Sequence, residues 1–71
     1  MVDSSATLKV AKRIKAVRQN KGLTQVQVAE KAKINANYYS RIERGEVKPS
    51  ADMYEAIAKV LKVTASDIFP F

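Results

Sequence analysis

TQVQVAEKAKINANYYSRIE, residues 24–43, holds two short helices and the turn between them. Thr24 is an N-cap for a helix over 25–32, in which Val28 and Ala29 face inward and Lys31 sits in the last turn, where the helix dipole favours a cation. Lys33 and Ile34 break the pattern. Asn35 then caps a helix over about 36–44 that ends at Gly45. Two helices of about eight residues joined by a three-residue turn must cross steeply, and the crossing needs a small side chain where they meet. Ala29 supplies it, and Val28, Ile34, Tyr39 and Ile42 are spaced to fill the angle between the helices.

Working outward, the segment before this pair places Val10, Ile14 and Val17 at i, i+4 and i+7, one buried stripe of a helix over about 7–21. Leu8 and Ala11 widen that stripe, and Gly22 ends the helix. After the pair, the loop 46–48 runs into Pro49, and Ser50 caps a fourth helix over about 51–62 with Tyr54, Ile57, Ala58 and Leu61 on one face. Thr64 opens a last turn over 65–69, with Asp67 placed to complete a capping box. No strand-like alternation occurs. The expected fold is therefore all-α, five short helices in a single domain over residues 1–71.

Composition removes several classes of function. The 71 residues include no Cys and no His, so thiolate nucleophiles, imidazole acid–base chemistry and zinc held by Cys or His have no residues to use. The seven carboxylates are scattered singly. We expect no enzyme, no metal and no cofactor. No apolar run approaches the roughly 18 residues of a membrane span, and a signal-peptide layout is lacking at the start, so a cytoplasmic, nucleoid-associated protein is expected. The net charge of +6 is uneven. Residues 1–48 carry eleven basic side chains against four acidic ones, whereas residues 49–71 carry two against three. That division suits a polyanion-binding surface with a separate, nearly neutral surface for packing or pairing.

The outward side of the third helix consists of Ala36, Asn37, Ser40, Arg41 and Arg44. It is short-chained and polar first and basic later, as suits a helix entering the DNA major groove. At this point the chain resembles the Cro/repressor-type (XRE-type, lambda-repressor-like) helix-turn-helix family, which includes phage repressors, antitoxins and restriction–modification controller proteins. The resemblance rests on Ile14, Val17, Arg18, Leu23-Thr24-Gln25, Val28-Ala29, Ile34-Asn35, Ser40 to Gly45, Pro49-Ser50, Ile57-Ala58, Leu61, Val63 and Asp67-Ile68-Phe69. It puts the helix-turn-helix at about 24–44. Lys33 departs from it, standing where the family usually has Gly; Val28 and Tyr39 replace the usual Leu and Ile, and the Tyr39 hydroxyl then needs a partner.

The resemblance implies double-stranded DNA as partner. Asn35, Ala36, Asn37 and Arg41 correspond to base-facing positions; Asn can read adenine, Arg guanine, and Ala only a thymine methyl. Gln25, Ser40, Arg44 and Lys48 correspond to phosphate contacts. Tyr38 either donates its hydroxyl to a phosphate or packs beside Ile34. Arg18 and Glu43 correspond to a structural ion pair. One helix reads about four base pairs, so a homodimer on a repeated operator is expected. Its interface is expected in the near-neutral region 51–71, through Tyr54, Leu61, Ile68, Phe69 and Phe71. The function implied is a sequence-specific transcriptional regulator, with contact to RNA polymerase as a further partnership; the alternative is an antitoxin-like interaction module that also binds its own promoter.

Overall fold

The computed structural model describes residues 3–69, with side chains from residue 6 onward. Five helices follow one another: α1 (Asp3–Asn20), α2 (Gln25–Ala32), α3 (Ala36–Glu43), α4 (Ala51–Leu61) and α5 (Ala65–Ile68). Four of them match the sequence expectation to within a residue at each end. The exception is α1, which starts four residues earlier than expected because no Gly or Pro precedes Thr7 to break it. The pairs α2–α3, α2–α4, α1–α3, α1–α5 and α4–α5 pack together.

The helix starts follow from short polar side chains. Thr24 Oγ1 accepts the Gln27 N–H at 3.1 Å while Gln27 Oε1 accepts the Thr24 N–H at 2.9 Å, a reciprocal cap. Asn35 Oδ1 accepts the Tyr38 N–H at 3.1 Å and Ser50 Oγ the Met53 N–H at 3.2 Å. At α5, Asp67 accepts from the Thr64 N–H at 2.9 Å.

The helix ends share one device. After α1, α2, α3 and α4 a residue with positive φ turns the chain: Gly22, Lys33, Gly45 and Lys62. In each case the following N–H folds back onto a carbonyl in the last turn, Leu23 to Arg18, Ile34 to Ala29, Glu46 to Arg41 and Val63 to Ala58, at 2.9 to 3.2 Å. Two of these turns use Gly, which adopts positive φ freely, and two use Lys, whose Cβ makes that conformation costly by roughly 1–2 kcal/mol. Lys33, which departs from the family pattern, thus does adopt the left-handed conformation and bears its strain. Gly45 is needed twice over, since a Cβ there would lie 2.7 Å from Leu8 Cδ1.

One core cluster joins the elements: Val10 and Ile14 of α1, Val28 and Ala29 of α2, Tyr39 and Ile42 of α3, Ile57, Ala58 and Leu61 of α4, and Ile68 of α5. Ala29 lies buried at the α2–α3 crossing, as its size requires. Ala11 joins the buried stripe of α1, but Leu8 remains exposed because it lies over the Gly45 turn rather than against the core. This core fixes α3 with Tyr39 and Ile42 inward and Asn37 and Arg41 outward.

Candidate nucleic-acid interface

Along its outer side α3 presents Asn37, Arg41 and Arg44 to solvent, with Ser40 half-buried between them. Asn35 sits just before the helix and is exposed, but its Oδ1 is committed to the cap, so only its amide donors face outward. Ala36 is half-buried and packs against the core. Tyr38 is likewise half-buried and packs against the core. Burial, and then the neighbouring Tyr38, push the Tyr54 phenol up from its ordinary value. Lys48 is exposed in the loop beyond α3.

The end of α3 holds a feature that sequence reasoning misses. Its outer face reads as free of acid, yet the turn at Gly45 carries Glu46 back over it. Glu46 Oε2 lies 2.7 Å from Arg44 Nε, and Oε1 lies 3.3 Å from Arg44 Nη2 and 3.5 Å from Arg41 Nε. Arg44 Nη1 donates to Ser40 Oγ at 2.7 Å. Only the positive φ encoded by Gly45 could have signalled this approach.

On the inner side of the same helix lies a second Arg–Glu pair. Arg18 Nε and Nη2 donate to the two oxygens of Glu43 at 2.6 and 3.0 Å, and Arg18 Nη1 donates to the Leu23 carbonyl at 2.8 Å. Tyr39 donates its hydroxyl to Glu43 Oε2 at 2.5 Å, which answers the need for a partner, and Gln25 Nε2 donates to Glu43 Oε1 at 2.9 Å. Both charged residues are buried. Burial alone would raise the Glu43 carboxyl, but hydrogen bonds from Arg18, Gln25 and Tyr39 outweigh it and hold the group below the ordinary carboxylate value. Burial, and then the bond to Glu43, push the Tyr39 phenol well up. Through Gln25 this network reaches the start of α2. Gln25, expected at a phosphate, therefore has one amide N–H already directed inward.

The expected pairing surface needs correction. Leu61 and Ile68 are 1% and 0% exposed, so they are part of this chain's own core and have no surface to offer a second copy. Amphipathic spacing marks an apolar side chain without telling which apolar surface it meets. Tyr54 and Phe69 are half-buried and meet edge to face, ring centres 5.0 Å apart. They line an open groove of about 620 Å³ with Ala58 and Val63, and exposed Asp52 and Lys59 also border it. Phe71 lies outside the described residues.

Two short helices crossing at a buried alanine, the second with a polar and basic outer side, define a helix-turn-helix domain of the DNA-binding type. A helix-turn-helix family model, HTH_3, matches residues 14–68, and the chain belongs to that family. The immunity repressor protein of Bacillus phage phi105 is 46% identical over 59 residues, covering 83% of this chain and 41% of the phage protein. The HTH-type transcriptional regulator YazB of Bacillus subtilis is 37% identical over 59 residues, 83% of this chain and 86% of that protein. Among solved structures, the restriction-modification controller protein C.AhdI from Aeromonas hydrophila superimposes with a TM-score of 0.88 at 25% identity, covering 92% of this chain and 98% of the controller. The chain spans about two fifths of the length of the phage repressor and of a mycobacterial regulator that it also matches. The phage protein is named as a repressor, and the Bacillus subtilis and Aeromonas hydrophila proteins as a transcriptional regulator and a controller protein. Among the described residues, no helix is long and apolar enough to cross a membrane.

Proposed function

We propose that this chain is a sequence-specific transcriptional regulator that binds a repeated operator as a symmetric homodimer, with α3 in the major groove, in the manner of a phage repressor or a restriction–modification controller. The observation that carries this reading is the outer side of α3, where Asn37 and Arg41 stand exposed at base-reading spacing while Tyr39 and Ile42 lock the opposite side into the core. Asn37 reads adenine and Arg41 guanine; Asn35 donates from the helix start and Ala36 meets a thymine methyl. Gln25, Ser40, Arg44 and Lys48 lie around that face and fix its register on the phosphates, with Tyr38 supporting α3 from beneath. RNA polymerase is a further partner of a regulator bound beside a promoter.

Dimerisation is supported by arithmetic and by the groove. A single helix reads too few base pairs to mark a site, and half-sites one helical turn apart require two copies. The Tyr54–Phe69 groove, with Asp52 and Lys59 of opposite sign beside it, suits a two-fold contact in which each copy meets the other's opposite charge.

The test is selection from a randomised duplex library followed by titration of the recovered duplex, alongside the region upstream of the gene. Sub-micromolar, salt-sensitive binding to a repeated half-site is expected, with Arg41→Ala relaxing preference at one base position by about 1–3 kcal/mol and Lys48→Ala weakening all sequences alike. Recovery of no common sequence, or equal behaviour of the two variants, would overturn the reading.

A further inference from the structure

The four left-handed turns provide the comparison that isolates Glu46. The residue whose N–H closes the turn is Leu23 after α1, Ile34 after α2 and Val63 after α4, and each packs against the core. An apolar side chain there normally covers the last turn of the helix. After α3 the equivalent residue is Glu46, and Val47 beside it packs against the core instead. The Glu46 N–H is held by the Arg41 carbonyl at 3.0 Å, so its backbone is anchored over the end of the recognition helix.

Its carboxylate meets the Arg44 fork in the two-oxygen geometry that a DNA phosphate would use, and its Oε1 also faces Arg41 Nε at 3.5 Å. With Nη1 on Ser40, the Nε, Nη1 and Nη2 of Arg44 all have partners within the domain. The hydrogen bond from Arg44, and then the neighbouring Arg41, hold the Glu46 carboxyl below its ordinary value, so it carries its charge at neutral pH.

We propose that Glu46 is an autoinhibitory residue of the DNA interface, an intramolecular carboxylate that competes with DNA phosphate for Arg44 and Arg41 and so lowers affinity for any duplex that engages them. This rests on the DNA-interface reading of α3. On any such duplex, phosphate replaces one anion by another at Arg44 and leaves the displaced Glu46 facing the negatively charged backbone.

The test titrates the wild type, Glu46→Gln and Glu30→Gln against two duplexes of roughly 30 bp, long enough for two half-sites. One is the sequence recovered by selection and the other is arbitrary. Each is measured over a range of salt. Glu30→Gln removes the same charge from the exposed side of α2 and controls for net charge. Glu46→Gln is expected to bind both duplexes on the order of ten-fold tighter, with a steeper salt slope, because Arg44 is released to phosphate in each. Glu30→Gln should shift both duplexes by one small factor. If the wild type binds and Glu46→Gln merely tracks Glu30→Gln, the inference fails while the DNA-interface reading stands. If the wild type shows no salt-sensitive binding to either duplex, both fall.

Discussion

Helix α3 carries an Arg–Glu pair on each side, and the two differ in everything except chemistry. On the inner side Arg18 and Glu43 are buried, each carboxylate oxygen has donors, and Tyr39 and Gln25 join the same group. On the outer side Arg44 and Arg41 share Glu46 with about half of each side chain exposed to water. Removing charge from water is expensive, so the inner pair holds only because each nitrogen of the Arg18 fork and both Glu43 oxygens have partners; the outer pair gains little from solvent-screened attraction and can open at little cost. The inner pair therefore fixes where α3 lies, and the outer pair leaves its arginines available for exchange with another anion.

The largest expected effect tests the inner pair. Glu43→Ala leaves Arg18 buried without its counter-charge and should lower unfolding free energy by about 3–5 kcal/mol in a denaturant titration. A loss below about 1 kcal/mol would mean that water reaches Arg18, and the contrast between the two sides would collapse. Acid provides a second probe of the same group. The folded state holds the Glu43 carboxyl below its ordinary value of about 4.5, so on acidification the unfolded chain takes up the proton first. The stability contributed by Glu43 is full above that pH and is lost as pH falls through the lower folded value. In Glu43→Gln the acid-dependent loss should shrink.

Next in size is Tyr39→Phe, which deletes a hydroxyl donating to a buried carboxylate while keeping the ring. A loss of about 1.5–3 kcal/mol is expected, typical of a hydrogen bond to a charged group. The same variant sharpens the comparison, because its acid-induced unfolding should begin at higher pH than the wild type's, one of the donors that lower the Glu43 carboxyl being gone.

How much of this is legible in the sequence depends on whether a residue type carries its own geometry. Gly22 and Gly45 announce left-handed turns, and Thr24, Asn35 and Ser50 announce helix starts, so α2 is legible to the residue and α3 and α4 nearly so. Lys62 gives no such signal; helical spacing includes it in the fourth helix, yet φ there is 59° because packing of Val63 against the core ends the helix. Lys33 stands out only through resemblance. The Arg18–Glu43 pair joins residues 25 apart and also comes from resemblance, whereas the need of Tyr39 for a partner follows from its hydroxyl. Leu61 and Ile68 are misplaced at the pairing surface because periodicity marks apolar faces alike whether they meet their own core or a second copy. Lys33 is the smaller stability test: Lys33→Gly relieves a left-handed Lys at some cost in unfolded-chain entropy and should raise unfolding free energy by roughly 0.5–1 kcal/mol.

The smallest expected effect lies on the outer side, and its smallness is the content of the prediction. Arg44→Ala removes the fork that holds Glu46 and the donor to Ser40 Oγ. Arg44 and Glu46 stay exposed to water before and after, the Ser40 hydroxyl is only half-buried, and the turn itself is held by backbone bonds from Gly45 to Ile42 and from Glu46 to Arg41. The Tm should therefore match the wild type's while DNA affinity drops. A substantial loss of Tm would show that the outer cluster helps to fix α3 and that its arginines are not available for exchange. An unchanged Tm with weakened DNA binding would leave the two Arg–Glu pairs divided as their surroundings imply, one holding the helix and the other serving the ligand.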